Sequence, residues 1–119
     1  MKRIYRLTRS VDFKRVRAVG SSYAHPQMVV LVAQNDQTHS RYGVVAGQGV
    51  GHAVQRNRAK RRIRAAIHAL YPQIEIGWDV IVVARSGIRE VCFWEIRDVL
   101  ESLLRRAGLL KDATDNRSE

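Results

Sequence analysis

Nine consecutive positions, Arg56-Asn57-Arg58-Ala59-Lys60-Arg61-Arg62-Ile63-Arg64, carry six cationic side chains and one amide. Guanidinium forks pair with phosphate oxygens through two parallel hydrogen bonds, so residues of this type at this density point to holding a polyanion. No acid occurs from Ala53 to Leu70. On one helix these charges repel one another without i,i+4 relief. A nucleic acid backbone is the partner that best offsets that repulsion. An anionic membrane surface is the alternative, but it calls for Trp, Phe or Leu anchors where this segment supplies mainly Ala and Ile. A plainly solvated helix face is the third reading, and such faces ordinarily mix signs.

The other reactive residues assemble no catalytic centre by spacing. His25, His39, His52 and His68 are not spaced as metal ligands. His68 extends the cationic face. No paired carboxylates and no nucleophile–base arrangement stand out. Cys92 stands three residues before Glu95, where a capping box would place Ser or Thr. It reads instead as a small buried apolar residue on the last helix. A single cysteine forms no intramolecular disulfide, which is consistent with a reducing compartment. Gly47-Gln48-Gly49-Val50-Gly51 precedes the basic segment but is neither G-x-G-x-x-G nor a P-loop. It reads as a strand-to-helix turn whose bare backbone could approach a phosphate. A protein enzyme acting on a free nucleotide stays open on this turn alone.

At 119 residues and 45% hydrophobic content, the chain supports one domain with one core. The domain is expected over residues 1–110, with a disordered tail over 111–119. The formal net charge is +10. Residues 1–64 hold fourteen Lys/Arg against two acids, Asp12 and Asp36, whereas residues 65–119 hold seven against nine. The binding surface therefore belongs to the first half. No apolar run reaches the ~20 residues of a bilayer span. No apolar stretch follows the basic Met1–Arg6, so no signal peptide is read and a cytoplasmic protein is expected.

These residues must be positioned by seven elements. A helix is expected over Leu7–Val19, capped by Thr8 or Ser10 and ended by Gly20. Ser21–Ala24 reads as a short strand, Met28–Ala33 as a buried strand, Gln34–Ser40 as a hairpin loop and Arg41–Ala46 as the next strand. The basic segment reads as a helix with Ala59, Ile63, Ala66, Ile67 and Leu70 on its core side. Asn57, Arg61, Arg64 and His68 fall opposite, with Arg58 close by. Arg56 falls on the apolar side and is expected at the sheet edge or in a groove beside it. Pro72 ends this helix. Val80–Ala84 is apolar throughout and is expected at the centre of the sheet. A last helix over Val91–Ala107 carries Cys92, Phe93, Ile96, Val99, Leu100 and Leu103, with Gly108 as its cap. The order α-β-β-β-α-β-α suggests a two-layer α/β sandwich.

Ala53-Val54-Gln55-Arg56-Asn57-Arg58-Ala59-Lys60-Arg61 resembles the "RNR" segment of the bacterial ribonuclease P protein component, and the resemblance covers almost the whole chain. Arg6-Leu7, Asp12-Phe13, Val16 and Gly20 match the family's opening. Arg41 and Gly43 precede the signature at the family distance. Ala84-Arg85 with Gly87 resembles its A-R-x-G, and Leu103-Leu104-Arg105-Arg106 its ending. The resemblance implies an α+β, four-stranded mixed sheet similar to a ribosomal-protein domain, with a left-handed β-α-β crossover against the ~98% right-handed rule. A ribosomal or general RNA-binding protein on the same fold therefore stays open.

The resemblance further implies one subunit of an endoribonuclease that removes the 5′ leader of precursor tRNA. Its RNA subunit would do the Mg²⁺-assisted hydrolysis and bind most of that Mg²⁺. The protein alone would have no catalytic or metal-ligating residue. Arg56, Asn57, Arg58, Lys60, Arg61, Arg62, Arg64 and His68 would dock on the catalytic RNA. Arg9, Phe13, Lys14, Arg17 and Leu31 would form the cleft for the single-stranded leader. Precursor tRNA would be the second partner, with no membrane and no obligate protein partner. The chain departs from the family at Gly47-Gln48-Gly49, where S-K-K is usual, and at His52, where a cation is frequent. Arg17 and Leu31 replace two frequent aromatics. The cleft would then hold the leader more by charge and less by stacking.

Overall fold

The computed structural model describes residues 6–111. The expected tail beyond Lys111 and the first five residues lie outside the described residues. Seven main elements follow in the expected order: α1 (Ser10–Val19), β1 (Ser21–Ala24), β2 (Met28–Gln34), β3 (Arg41–Ala46), α2 (Ala53–Leu70), β4 (Trp78–Ala84) and α3 (Phe93–Arg106). Short 3-10 turns at Gln48–Val50, Tyr71–Gln73 and Ser86–Ile88 join them.

The strand order is β1-β2-β4-β3. β4 pairs antiparallel with β2 and parallel with β3, so β3-α2-β4 is a parallel crossover unit. A strand as apolar as β4 is best buried on both faces, and it takes the centre as expected. Gln34–Ser40 is therefore not a hairpin loop. It carries the chain from β2 over the start of β4 to the opposite edge, clipped there by Asn35 N–H donating to Gly77 C=O at 2.9 Å.

The larger core lies between one sheet face and the pair α2 and α3. Met28, Val30, Val32, Tyr42, Val80 and Val82 from the sheet meet Ile63, Ile67, Leu70, Ile96, Leu100 and Leu103 from the helices. All five residues expected on the core side of α2 are buried. α1 lies on the other face, where Leu7, Val16, Ala33 and Ile81 form a smaller cluster. Beside it Leu31, Val45 and Val83 stay half-buried.

Three ends differ from expectation. α1 starts at Ser10, because Leu7 is held beside β3 by its N–H donating to Tyr42 C=O at 2.8 Å. Arg9 takes the N-cap position without a side-chain cap, so neither Thr8 nor Ser10 caps the helix. β4 begins at Trp78, two residues early, because Trp78 and Asp79 pair with Gln34 and Ala33. α3 begins at Phe93, which leaves Cys92 exposed at its N-cap rather than buried on its stripe. Gly20 ends α1 for want of space rather than by a left-handed turn. A Cβ there would lie 2.5 Å from the carbonyl oxygens of Val16 and Val32.

Tyr42 is 2% exposed, with its ring edge-on to Tyr71. Burial pushes its phenol up to about 12, partly opposed by a hydrogen bond with Ser40. The neutral phenol is favoured in the folded chain, while the unfolded chain ionises near its ordinary value of 10. Stability from this group is thus complete below pH 10 and falls as pH rises towards 12. Denaturation midpoints across that window should drop more steeply for the wild type than for Tyr42→Phe. Parallel profiles would show that Tyr42 ionises freely in the folded state.

Candidate nucleic-acid interface

α2 presents its cations on three sides. Asn57, Arg58, Arg61 and His68 are exposed on the outward face, together with Val54, whose side chain is 79% exposed. Sequence reasoning passed over Val54. Its signal was the i, i+3, i+4, i+7 spacing with Asn57, Arg58 and Arg61. Lys60, Arg62 and Arg64 are half-buried along the flanks.

Two of the predicted docking arginines are partly committed to the protein itself. Arg56 Nη1 donates to Gly51 C=O at 2.9 Å, so it folds back onto the glycine turn and braces the helix start. Arg62 Nη2 donates to Val91 C=O and ties α2 to the segment before α3. At the helix start His52 N–H donates to Gln55 Oε1 at 2.6 Å, satisfying one end group that lacks an intrahelical partner.

Arg64 stands at the edge of the face that carries Arg61 and His68 and is half-buried there. It lines a concavity of about 230 Å³ with Arg6, Leu7, Thr8, Phe13, Tyr42 and Gly43. Its spacing gives the angle correctly, but α1 and β3 rise beside that edge and line the hollow with it. Partial burial, and then the charge of Arg6, hold the Arg64 guanidinium below its ordinary value. Two cations facing one hollow without a carboxylate are a place for an anion. Arg6, missed by the sequence reading as a site residue, belongs here. Its position became visible only through its bridge to Tyr42 on β3.

Phe13 forms the edge of this hollow. Its ring lies directly over Gly43, where a Cβ would stand 2.7 Å from Phe13 Cζ. Any side chain at position 43 would push the ring aside. Phe13, Leu31, Val45 and Val83 all pack against the small cluster of Leu7, Val16, Ala33 and Ile81, giving an aromatic-edged apolar strip along the sheet. Arg17 stands four residues after Phe13 and shares its side of α1, and it is exposed, as is Arg9 at the N-cap. Lys14 is exposed but turned about 100° away. The structure thus brings Phe13, Leu31 and Arg17 to one face, leaves Arg9 exposed at the start of α1, and adds Arg6 and Arg64.

A buried charge network seats α1 over this strip. Asp79 is 0% exposed. It accepts from Arg41 Nε at 2.9 Å and Nη2 at 2.7 Å, from Asn35 Nδ2 at 2.8 Å, and from Arg15 Nη2. Arg15 also donates to Gln34 C=O at 3.1 Å, and Arg41 reaches Asp12 at 3.5 Å. The hydrogen bond to Asp79 holds the Arg41 guanidinium above its ordinary value. Arg15 and Asp12 come from α1, so a single carboxylate ties that helix to two strands.

Among the described residues, no group of three or more His, Cys, Asp or Glu could hold a metal ion. No helix among them is long and apolar enough to cross a membrane.

A small basic α+β domain, with a cationic helix set beside an aromatic-edged cleft, has the build of a ribonucleoprotein subunit. A family model described as Ribonuclease P matches residues 1–108, and the chain belongs to that family. It is 38% identical over 120 residues to the ribonuclease P protein component of Roseiflexus sp. (strain RS-1), covering 100% of this chain and 98% of the relative. It is 42% identical over 112 residues to that of Symbiobacterium thermophilum, covering 93% and 97%. The structure of Staphylococcus aureus RNase P protein superposes with a TM-score of 0.82 at 32% identity, covering 90% of this chain and 98% of that one. The Thermotoga maritima protein gives 0.76 at 31% identity, covering 84% and 96%. The chain is a protein subunit of the ribonuclease P holoenzyme, an endoribonuclease of tRNA processing, and works with the ribonuclease P RNA.

Proposed function

We propose that α2 docks the protein on the catalytic RNA while the cleft beside Phe13 receives the single-stranded 5′ leader of precursor tRNA. The observation that carries this division is the separation of cations. Asn57, Arg58, Arg61 and His68 project outward from α2, whereas Arg6 and Arg64 face the hollow edged by Phe13. An outward cationic ridge suits the phosphates of a structured RNA. A groove that joins positive charge to an aromatic edge suits a single strand, which offers stackable bases and a flexible backbone. Arg64, grouped by spacing with the docking residues, is assigned in this reading to the leader.

The hydrolysis belongs to the RNA subunit in this reading. Mg²⁺ would be held mainly by RNA phosphates, and no step runs through a protein side chain. The protein's contribution is binding: it adds affinity for the leader that the RNA alone does not supply. The partners are the RNA and precursor tRNA, without an obligate second protein, in the cytoplasm.

The test compares holoenzyme carrying the wild-type chain with holoenzyme carrying Phe13→Ala. Precursor tRNA should bind about 5- to 10-fold more weakly, in keeping with ~1–3 kcal/mol per stacked base. Mature tRNA, lacking the leader, should bind equally well to both. Because Phe13 packs on Gly43, the melting transition of the variant is measured first. Equal losses for both substrates would remove the leader from the cleft.

A further inference from the structure

α2 has a second flank, away from the one that carries Arg64. There Arg58 and Arg62 face the segment after β4, and with Arg89, Glu90, Val91 and Cys92 they line an open groove of about 410 Å³. The wall across from α2 is anchored. Ile88 is 1% exposed and belongs to the main core. A Cβ on Gly87 would lie 2.5 Å from the Pro26 carbonyl oxygen, so the 86–88 turn presses directly on the chain before β2. Val91 N–H donates to Ile88 C=O at 3.4 Å, and Val91 C=O accepts from Arg62. Arg89 is therefore projected from a braced turn, with its own side chain exposed.

The charge in this groove is one-sided. Three guanidinium groups meet one carboxylate, Glu90. The ion pairs among the described residues use Arg15, Arg41, Arg97 and Arg105 and none of these three. Arg62 is fixed by its bond to Val91, which leaves Arg58 and Arg89 on opposite walls with forks available for phosphate. Cations held in place before binding lose less side-chain freedom when they bind.

We propose that this groove is a second wall of the RNA-docking surface, where Arg58 and Arg89 grip one backbone strand of the ribonuclease P RNA from opposite sides. The proposal rests on the reading of α2 as the docking helix. It adds a residue from outside that helix and a direction for the RNA, from α2 across residues 86–91. The leader is not the occupant, because its cleft lies on the other flank with Phe13 and Arg64.

The test measures binding of the full chain to its ribonuclease P RNA over a range of monovalent salt. Arg89→Ala should bind about 5- to 10-fold more weakly, and the log–log salt slope should fall by roughly 0.7–0.9, one phosphate contact. Arg89→Lys should keep the slope and lose only part of the affinity, since a point charge replaces the fork. Cleavage of long-leader and short-leader precursors should be affected alike. An unchanged affinity and slope for Arg89→Ala, while Arg61→Ala lowers both, would overturn the groove and leave α2 as the docking helix. No change in either variant would overturn both. A loss confined to long-leader precursors would place the leader here and overturn the assignment to the RNA subunit.

Discussion

Asp79→Ala should destabilise the domain by about 3 kcal/mol, seen as a fall of roughly 10–15 °C in the melting midpoint. Asp79 is fully buried and accepts from Arg15, Arg41 and Asn35. Its removal strands two guanidinium groups at the junction of α1, β3 and β4. Arg41 has 21% of its side chain exposed and Arg15 36%, so Arg15 rehydrates more readily and the loss stays at the lower end for broken buried pairs. Asp79→Asn keeps the shape and some hydrogen bonding but loses the charge, and should fall between. Arg15→Met leaves the Arg41–Asp79 pair intact and α1 held to it through Asp12 alone, so it should cost less stability but loosen the helix that carries Phe13. A loss below about 0.5 kcal/mol for Asp79→Ala, the range of ordinary surface changes, would show that water replaces the network without penalty.

The second large effect is on RNA binding. The double variant Arg58→Ala/Arg61→Ala should bind the ribonuclease P RNA about 50-fold more weakly near physiological salt, with the salt slope reduced by roughly 1.5–2 units. Both side chains are exposed and neither forms an ion pair among the described residues. α2 contains no acid, so removing two cations relieves repulsion at i,i+3 and i,i+4 and substitutes a better helix former. The variant should therefore melt no lower than the wild type. Loss of binding without loss of stability marks charge kept for a partner. A variant that binds normally would mean that this face meets water.

Much of the scaffold was legible because it rests on local periodicity. The unbroken run Val80-Ile81-Val82-Val83 places β4 at the centre of the sheet. The spacing of Ala59, Ile63, Ala66, Ile67 and Leu70 gives the buried side of α2. Contacts between distant segments were not legible. Gln34 to Ser40 looks like a hairpin because nothing local says that β4, forty residues on, enters between β2 and β3. Asp79 fell just outside the strand expected from Val80, although its partners come from positions 15, 35 and 41. An acid at the head of an apolar strand was the available signal, since a charge buried there must be paired. Cys92 was placed on the stripe of α3 because the helix was begun two residues early. At an N-cap the periodicity no longer applies, and the side chain turns outward.

The candidate site divides the same way. The cationic block is visible in sequence by charge alone, so the exposure of Asn57, Arg58, Arg61 and His68 adds position rather than identity. The hollow shared by Arg6, Phe13 and Arg64 is assembled from the N-terminal segment, α1 and α2. Its members come from the two ends of a stretch of nearly sixty residues. The seating of Leu7 against Tyr42, and of Phe13 against Gly43, brings them together.

The most direct test of the account is cleavage of precursor tRNA at low Mg²⁺ by ribonuclease P RNA, with and without this chain, and with RNA-free protein as the third arm. Cleavage should be strongly stimulated when both the RNA and this chain are present, and the protein alone should not cleave. Cleavage by RNA-free protein, or no stimulation from a folded chain that binds its RNA, would contradict the account.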